Sequence, residues 1–212
     1  MMNITLLMLD ELRERVGTYM SEKRYAHTVA VEDMAGRMAK YLCPEKTNIL
    51  RAAALLHDIT KELTADEHIA ICESLGVSYD SDNVAAKKTF HAMTAAAKIR
   101  AQYPEFADEE IIGAVRYHTT GREGMTLSEK VIYLADYIDD TRKFEECIFL
   151  RNMFWGADIE NMTMNERMEH LDRVVLKSLD ITISDLIDGG KVINRDTVAA
   201  RNYILKNLND RG

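Results

Sequence analysis

Only two prolines and ten glycines interrupt this chain of 212 residues. So few breakers, beside many Ala, Leu, Met, Glu and Lys, favour helix throughout. Cysteine is equally scarce. Cys43, Cys72 and Cys147 are odd in number and show no C-x-x-C spacing, which argues against a disulfide framework or a cysteine-based metal site. They read as buried or free thiols of a reducing compartment. No stretch approaches eighteen uninterrupted apolar residues, so no membrane span is expected. The first twenty residues lack a basic start and meet Asp10-Glu11 too early for a signal peptide. The expected location is cytoplasmic. Basic residues are outnumbered 27 to 35, for a net charge of −8. That balance argues against bulk nucleic-acid binding and leaves room for a local phosphate pocket. A P-loop and a nucleophile elbow are both missing.

What is present is helical periodicity. Leu6, Leu9, Leu12, Val16 and Met20 predict a helix over 5–20. Ser21 caps a second, over 22–42, and Thr47 a third, running into His57-Asp58. Thr64 to Glu67 reads as a capping box for a helix ending at Gly76. Residues 77–89 look like a polar connection. His91 opens an alanine-rich helix that Pro104 closes. Asp108 caps another, to about His118, and Ser128 and Glu129 start the next. Residues 143–154 continue as helix, Thr163 to Glu166 opens a long one ending at Gly189-Gly190, and Asp196 caps a last one. Period-two alternation is not sustained anywhere. The expected fold is all-α: one compact helical domain over 1–212, a core at about 20–145 with helices 146–212 packed on it.

The chain centres on Ala53-Ala54-Leu55-Leu56-His57-Asp58-Ile59-Thr60-Lys61. An apolar helix that delivers an imidazole and a carboxylate together must give them partners, because unpaired polar groups in a core are costly. Taken alone, the stretch fits a capping aspartate beside a hydrogen-bonded histidine as well as it fits a pair of metal ligands.

The rest of the chain shifts the balance. Of six histidines, His27, His57, His91 and His118 sit near helix ends or on apolar faces, and Asp58 and Asp136 are carboxylates in apolar helices. Four imidazoles and two carboxylates form a mixed N/O set suited to iron, manganese or zinc, and one bridging carboxylate would serve two ions. His68 and His170 lie in charged surroundings and read as solvated. The cations Arg24, Lys61, Arg116, Arg122 and Arg142 fall near these ligands and make sense as phosphate clamps. The Thr119-Thr120-Gly121 segment offers hydroxyl and backbone N–H donors to the same anion.

The longer strings are more specific. In order, Arg24-Tyr25-x-His27-Thr28, Leu55-Leu56-His57-Asp58-Ile59-x-Lys61-Glu62, Arg116-Tyr117-His118-Thr119-Thr120-Gly121-Arg122, Tyr133-Leu134-Ala135-Asp136-Tyr137-Ile138 and Ala200-Arg201-Asn202-Tyr203 resemble the bacterial YqeK-type family of HD-domain phosphohydrolases. The likeness spans about residues 20–206. It implies hydrolysis of diadenosine tetraphosphate to two ADP at an iron-containing dinuclear centre, with metal-activated water attacking an inner phosphorus. His27, His57, Asp58 and Asp136 would surround one metal. Asp58 would bridge to a second, completed by His91 and His118. Asp58 and Lys61 would be the catalytic residues, and Arg24, Lys61, Thr119, Gly121, Arg122 and Arg142 would face the substrate. A dinucleoside polyphosphate is the expected partner, with no nucleic acid and no membrane, and a homodimer is compatible.

Three positions depart from the family pattern: Ala92 where Gly is expected, Asp139-Asp140-Thr141-Arg142 for Glu-Pro-x-Arg, and Asn194 where a His is common. Other readings keep the same ligands with a different end: a nucleotidase or phosphodiesterase on another nucleotide, a dinuclear iron oxygenase, or a nucleotide-binding regulatory module.

Overall fold

The third helix of the chain, Thr47–Leu56, buries Ile49, Leu50 and every residue from Ala52 to Leu56. A helix with five consecutive buried apolar residues, whose only charged side chain is the part-buried Arg51, has to be surrounded on most sides by other elements. The computed structural model, which describes residues 3–79 and 87–210, shows how. Among the described residues ten α-helices occur: α1 (Leu6–Gly17), α2 (Glu22–Leu42), α3 (Thr47–Leu56), α4 (Ala65–Leu75), α5 (Lys87–Gln102), α6 (Glu109–Tyr117), α7 (Leu127–Ile138), α8 (Glu145–Trp155), α9 (Met164–Asp188) and α10 (Arg195–Asn209). Short 3₁₀ turns, Pro44–Lys46 and Pro104–Phe106, precede α3 and α6. No strand occurs among the described residues, so the fold is all-α.

α3 packs against α1, α2, α6 and α7, and its three consecutive alanines let those helices come close. α7 is buried almost as fully, from Val131 to Ala135 and at Ile138. α9 lies on α7 and α8 and carries α10. α4 and α5 pair at one flank, where Cys72, Phe90 and Met93 form a separate small core. Shortening Leu50 or Leu55, both fully buried, should cost roughly 2–5 kcal/mol.

The chemistry at helix ends explains where the sequence-based boundaries move. Capping boxes open α4 at Thr64/Glu67, α7 at Thr126/Glu129 and α9 at Thr163/Glu166. Helix α7 therefore begins one residue before Ser128, whose hydroxyl instead donates to Glu110 at 2.5 Å. Thr47 is not a cap; its hydroxyl donates to the Pro44 carbonyl and the residue is already helical. Asn194, not Asp196, caps α10 by accepting from the Asp196 amide. Helix α1 stops at Gly17, and α5 begins at Lys87, so His91 lies inside its helix rather than at its start. Much of the predicted 77–89 connection, residues 80–86, lies outside the described residues. Cys43, Cys72 and Cys147 are all buried and free. No helix among the described residues is long and apolar enough to cross a membrane.

Candidate metal centre

Two histidines end two helices in the same way. His57 and His118 are the C-caps of α3 and α6, where the last carbonyls lack intrahelical partners. Each ring donates from Nδ1 to the carbonyl three residues back, Ala54 at 2.6 Å and Val115 at 2.7 Å. The carbonyl fixes the tautomer, so Nε2 is left as a bare acceptor.

Beyond Leu56 the chain tightens into three-residue turns, Ile59 to Leu56, Lys61 to Asp58 and Leu63 to Thr60. Asp58 therefore sits in a turn and not within the apolar helix as expected. Its two oxygens face different histidine pairs. Oδ2 lies 3.4 Å from His57 Nε2 and 3.9 Å from His27 Nε2. Oδ1 lies 3.0 Å from His91 Nε2 and 3.6 Å from His118 Nε2, and those two nitrogens are 3.0 Å apart. Asp136, on the last turns of α7, completes the first side, with Oδ1 2.9 Å from His27 Nε2 and 3.8 Å from His57 Nε2.

These residues fit a metal on their own geometry. His27 Nε2, His57 Nε2 and Asp58 Oδ1 are buried with no hydrogen-bond partner. Asp136 attracts His27 Nε2 by charge, but lies out of line with a ring N–H. Three orphaned atoms clustered about Asp58, on both of its sides, would be costly without cations to share. His27, His57 and Asp136 bring ligand atoms within 4.8 Å of one another, as do His57, Asp58 and His118.

Charge is arranged to match. Burial opposes ionisation of Asp58, but His57, His118 and His91 hold its carboxyl well below the usual range. Burial likewise opposes ionisation of Asp136, and Arg142, His27 and His57 keep it charged. Burial pushes His91 down to about 3 and His118 in the same direction, so both stay neutral. His27 goes the other way: burial lowers it, but Asp136 and Asp139 raise it to about 9.

The cations take up different places. Arg24 donates from Nη1 to Asp58 Oδ2 at 2.5 Å, and its Nε is buried and unpartnered. Arg142 donates to Asp136 Oδ1 at 2.6 Å and to the Asp136 carbonyl at 3.0 Å. Lys61 Nζ stands 3.2 Å from His91 Nε2 and 3.9 Å from Asp58 Oδ1, and burial pushes its pKa down. Thr119 Oγ1 is buried without a partner. Gly121 has another task. Its φ of +64° suits glycine, its amide donates to the Tyr117 carbonyl, and a Cβ there would meet Ala200 Cβ at 3.0 Å. That amide is not available to an anion. Arg122 turns onto Glu129 at 3.0 Å and lies over the Tyr117 ring.

Sequence reasoning missed several supports. Asp139, the C-cap of α7, is fully buried 3.3 Å from His27 Nδ1 and holds Thr141 through its amide and hydroxyl. A carboxylate behind a ligand histidine orients the ring and raises its basicity. Carboxylates at a helix C-terminus also oppose its dipole, so Asp136 and Asp139 both need cations. The signal was a second Asp three residues after Asp136, noticed only as a departure from Glu-Pro-x-Arg. Glu62 holds the start of α2 by accepting from the Ser21 amide and hydroxyl, at 2.9 and 2.6 Å.

One of the two histidines expected to be solvated is not. His68 is buried, 2.8 Å from Thr94 Oγ1, and Thr94 and Thr60 both donate to the His91 carbonyl. His170 stacks on Phe154 and sits 3.1 Å from its carbonyl. His68 is held by packing and a nearby oxygen rather than by water, whereas His170 keeps part of its surface exposed.

Comparison with known proteins agrees with this arrangement. The HD domain family model matches residues 24–141, which contain all six clustered residues. A symmetrical bis(5'-nucleosyl)-tetraphosphatase of Bacillus subtilis (strain 168) is 36% identical, over 92% of this chain and 97% of the relative. One from Halalkalibacterium halodurans is 30% identical, over 90% and 93%. A crystal structure of a predicted HD superfamily hydrolase involved in NAD metabolism, from Clostridium acetobutylicum, superposes with a TM-score of 0.80 at 32% identity, covering 93% of this chain and 97% of that one. With its ligand set, its fold and these relatives in agreement, this chain belongs to the HD-domain family, in its YqeK-type branch.

Proposed function

We propose that this hydrolase cleaves symmetrical dinucleoside tetraphosphates, diadenosine tetraphosphate to two ADP, at a centre where Asp58 would stand between two metal ions. The observation that carries the reading is the division of labour within Asp58, whose two oxygens face separate histidine pairs at 3.0 to 3.9 Å. His27, His57 and Asp136 would hold one ion and His91 and His118 the other. The N/O donor set suits iron first, with manganese and zinc compatible. When bound, such a pair acidifies a water for attack and neutralises phosphoryl oxygens.

The chain's own residues supply the rest. Arg24 spends one nitrogen on Asp58 and keeps donors over, including its unpartnered Nε, for a phosphate oxygen. Lys61 sets a point charge beside the His91–His118 side, where it favours the leaving nucleotide. Thr119 offers its unpartnered hydroxyl. Arg142 secures Asp136 and Arg122 secures Glu129, so both act first on the protein and not on the substrate. The reading takes residues 1–212 as one unit, with the helices after residue 145 supporting the core through α7.

Protein loaded with iron or manganese should release ADP alone from diadenosine tetraphosphate. AMP plus ATP would overturn the symmetrical cleavage. Turnover of mononucleotides in preference to the dinucleotide would favour the nucleotidase reading instead. Elemental analysis should find close to two metal ions per chain.

A further inference from the structure

A cavity of about 600 Å³ opens beside the His27 side of the centre. Lys23, Arg24, Arg142, Lys143 and Phe144 line it together with His27. Four cations around one cavity, in a chain of net charge −8, mark the place for an anion.

Phe144 is the unexpected member. It occupies the N-cap of α8, where Ser, Thr, Asp or Asn would hydrogen-bond the first amides, and its side chain makes no capping bond. Its ring is 70% exposed, although burying a phenyl group is favourable. Both costs fall on one residue at the rim of a cationic cavity that leads to the metal centre. One cavity thus brings together a histidine of the centre, two guanidiniums, two ammoniums and an aromatic ring, and a nucleotide offers phosphates to the cations and a base to the ring.

We infer that Phe144 is a stacking platform for one nucleobase of the substrate, with Lys23 and Lys143 flanking the phosphates that lead to it. The inference rests on the function proposed above, since a symmetrical dinucleotide has a second nucleoside that needs a seat of its own. Every base has a π-face, so this platform adds affinity without selecting adenine over guanine.

The test is steady-state ADP release from diadenosine tetraphosphate by the metal-loaded full chain and its variants F144A, F144W and F149A. Stacking on an aromatic side chain is worth about 5- to 150-fold in affinity. The KM of F144A should rise by about fivefold or more, and F144W should stay within about twofold of wild type on the same scale. F149A, an exposed ring on α8 that does not line the cavity, should behave as wild type. Inhibition by inorganic tetrapolyphosphate, which has the charge and no base, should be equal in F144A and wild type. An unchanged KM in F144A, or weaker polyphosphate inhibition in step with it, would overturn the platform. A wild-type protein that releases no ADP would instead overturn the function on which the platform rests.

Discussion

The two sides of Asp58 are built on different principles. Facing Oδ1, His91 and His118 are 1% and 2% exposed, and burial keeps both neutral. Facing Oδ2, His27 lies among Asp136, Asp139, Arg24 and Arg142, and the carboxylates raise it to about 9. The first side sets deeply buried neutral imidazoles beside one cation, Lys61, and is held by helix ends and buried hydroxyls. The second is a dense set of opposite charges opening onto the cationic cavity. Neutral imidazoles can be buried deeply at modest cost, whereas ionised groups must be paired or reach solvent. Under the function proposed above, an entering phosphate would meet the charged side, where its own charge could replace existing pairings.

The largest effect should come from removing what both sides share. Asp58→Ala deletes the carboxylate between the two histidine pairs and leaves Arg24 without its partner. Loss of several kcal/mol of charge stabilisation should lower kcat by about 10³-fold or more, and metal analysis should show less than half of the wild-type content. Near-normal metal content would mean that the two sides do not depend on Asp58.

A smaller change should separate the sides. Asp139→Asn removes the charge behind His27 and leaves the His91–His118 side untouched. Loss of such an orienting carboxylate typically weakens metal binding about 10- to 100-fold. A metal titration of the variant should show one weakened phase and one normal phase. Equal weakening of both would erase the contrast between the two sides.

The smallest effect concerns the scaffold of the His91–His118 side. His68→Ala leaves a cavity beside Phe90 and deprives Thr94 of a hydrogen bond, at about 1–3 kcal/mol. At roughly 2–4 °C per kcal/mol for a chain of this size, thermal scans should show a clear fall in Tm with metal content preserved. Burial pushes the pKa of His68 down, so the folded state holds it neutral. The unfolded chain then binds the proton more readily. The stability His68 provides is complete above its ordinary value of about 6.5 and is lost as pH falls through the lower folded value. The gap in urea midpoint between wild type and His68→Ala should therefore narrow on acidification.

How much of this was legible in the sequence follows from what each feature depends on. Helix content was legible because breakers are few, α3 carries a run of strong helix formers, and local signals such as Thr64/Glu67 and Thr163/Glu166 mark where other helices start. The six clustered residues were legible too, because an imidazole or carboxylate on an apolar helix needs a partner wherever it folds. Boundaries set by a choice between adjacent caps, such as Asn194 against Asp196, were not. Neither was burial at His68, whose polar neighbours in sequence point to solvent while Thr94, on another helix, points back at it.

The sequence by itself therefore determined the helices, the chemical types of the ligands and the family, since these depend on local propensity and on residues that can be counted along a chain. Only the tertiary structure decided which side of Asp58 each histidine faces, that Arg24 and Arg142 hold carboxylates, that Asp139 stands behind His27, and that Phe144 edges a cationic cavity. Those are distances between residues far apart in the chain, and they exist only once the helices have packed.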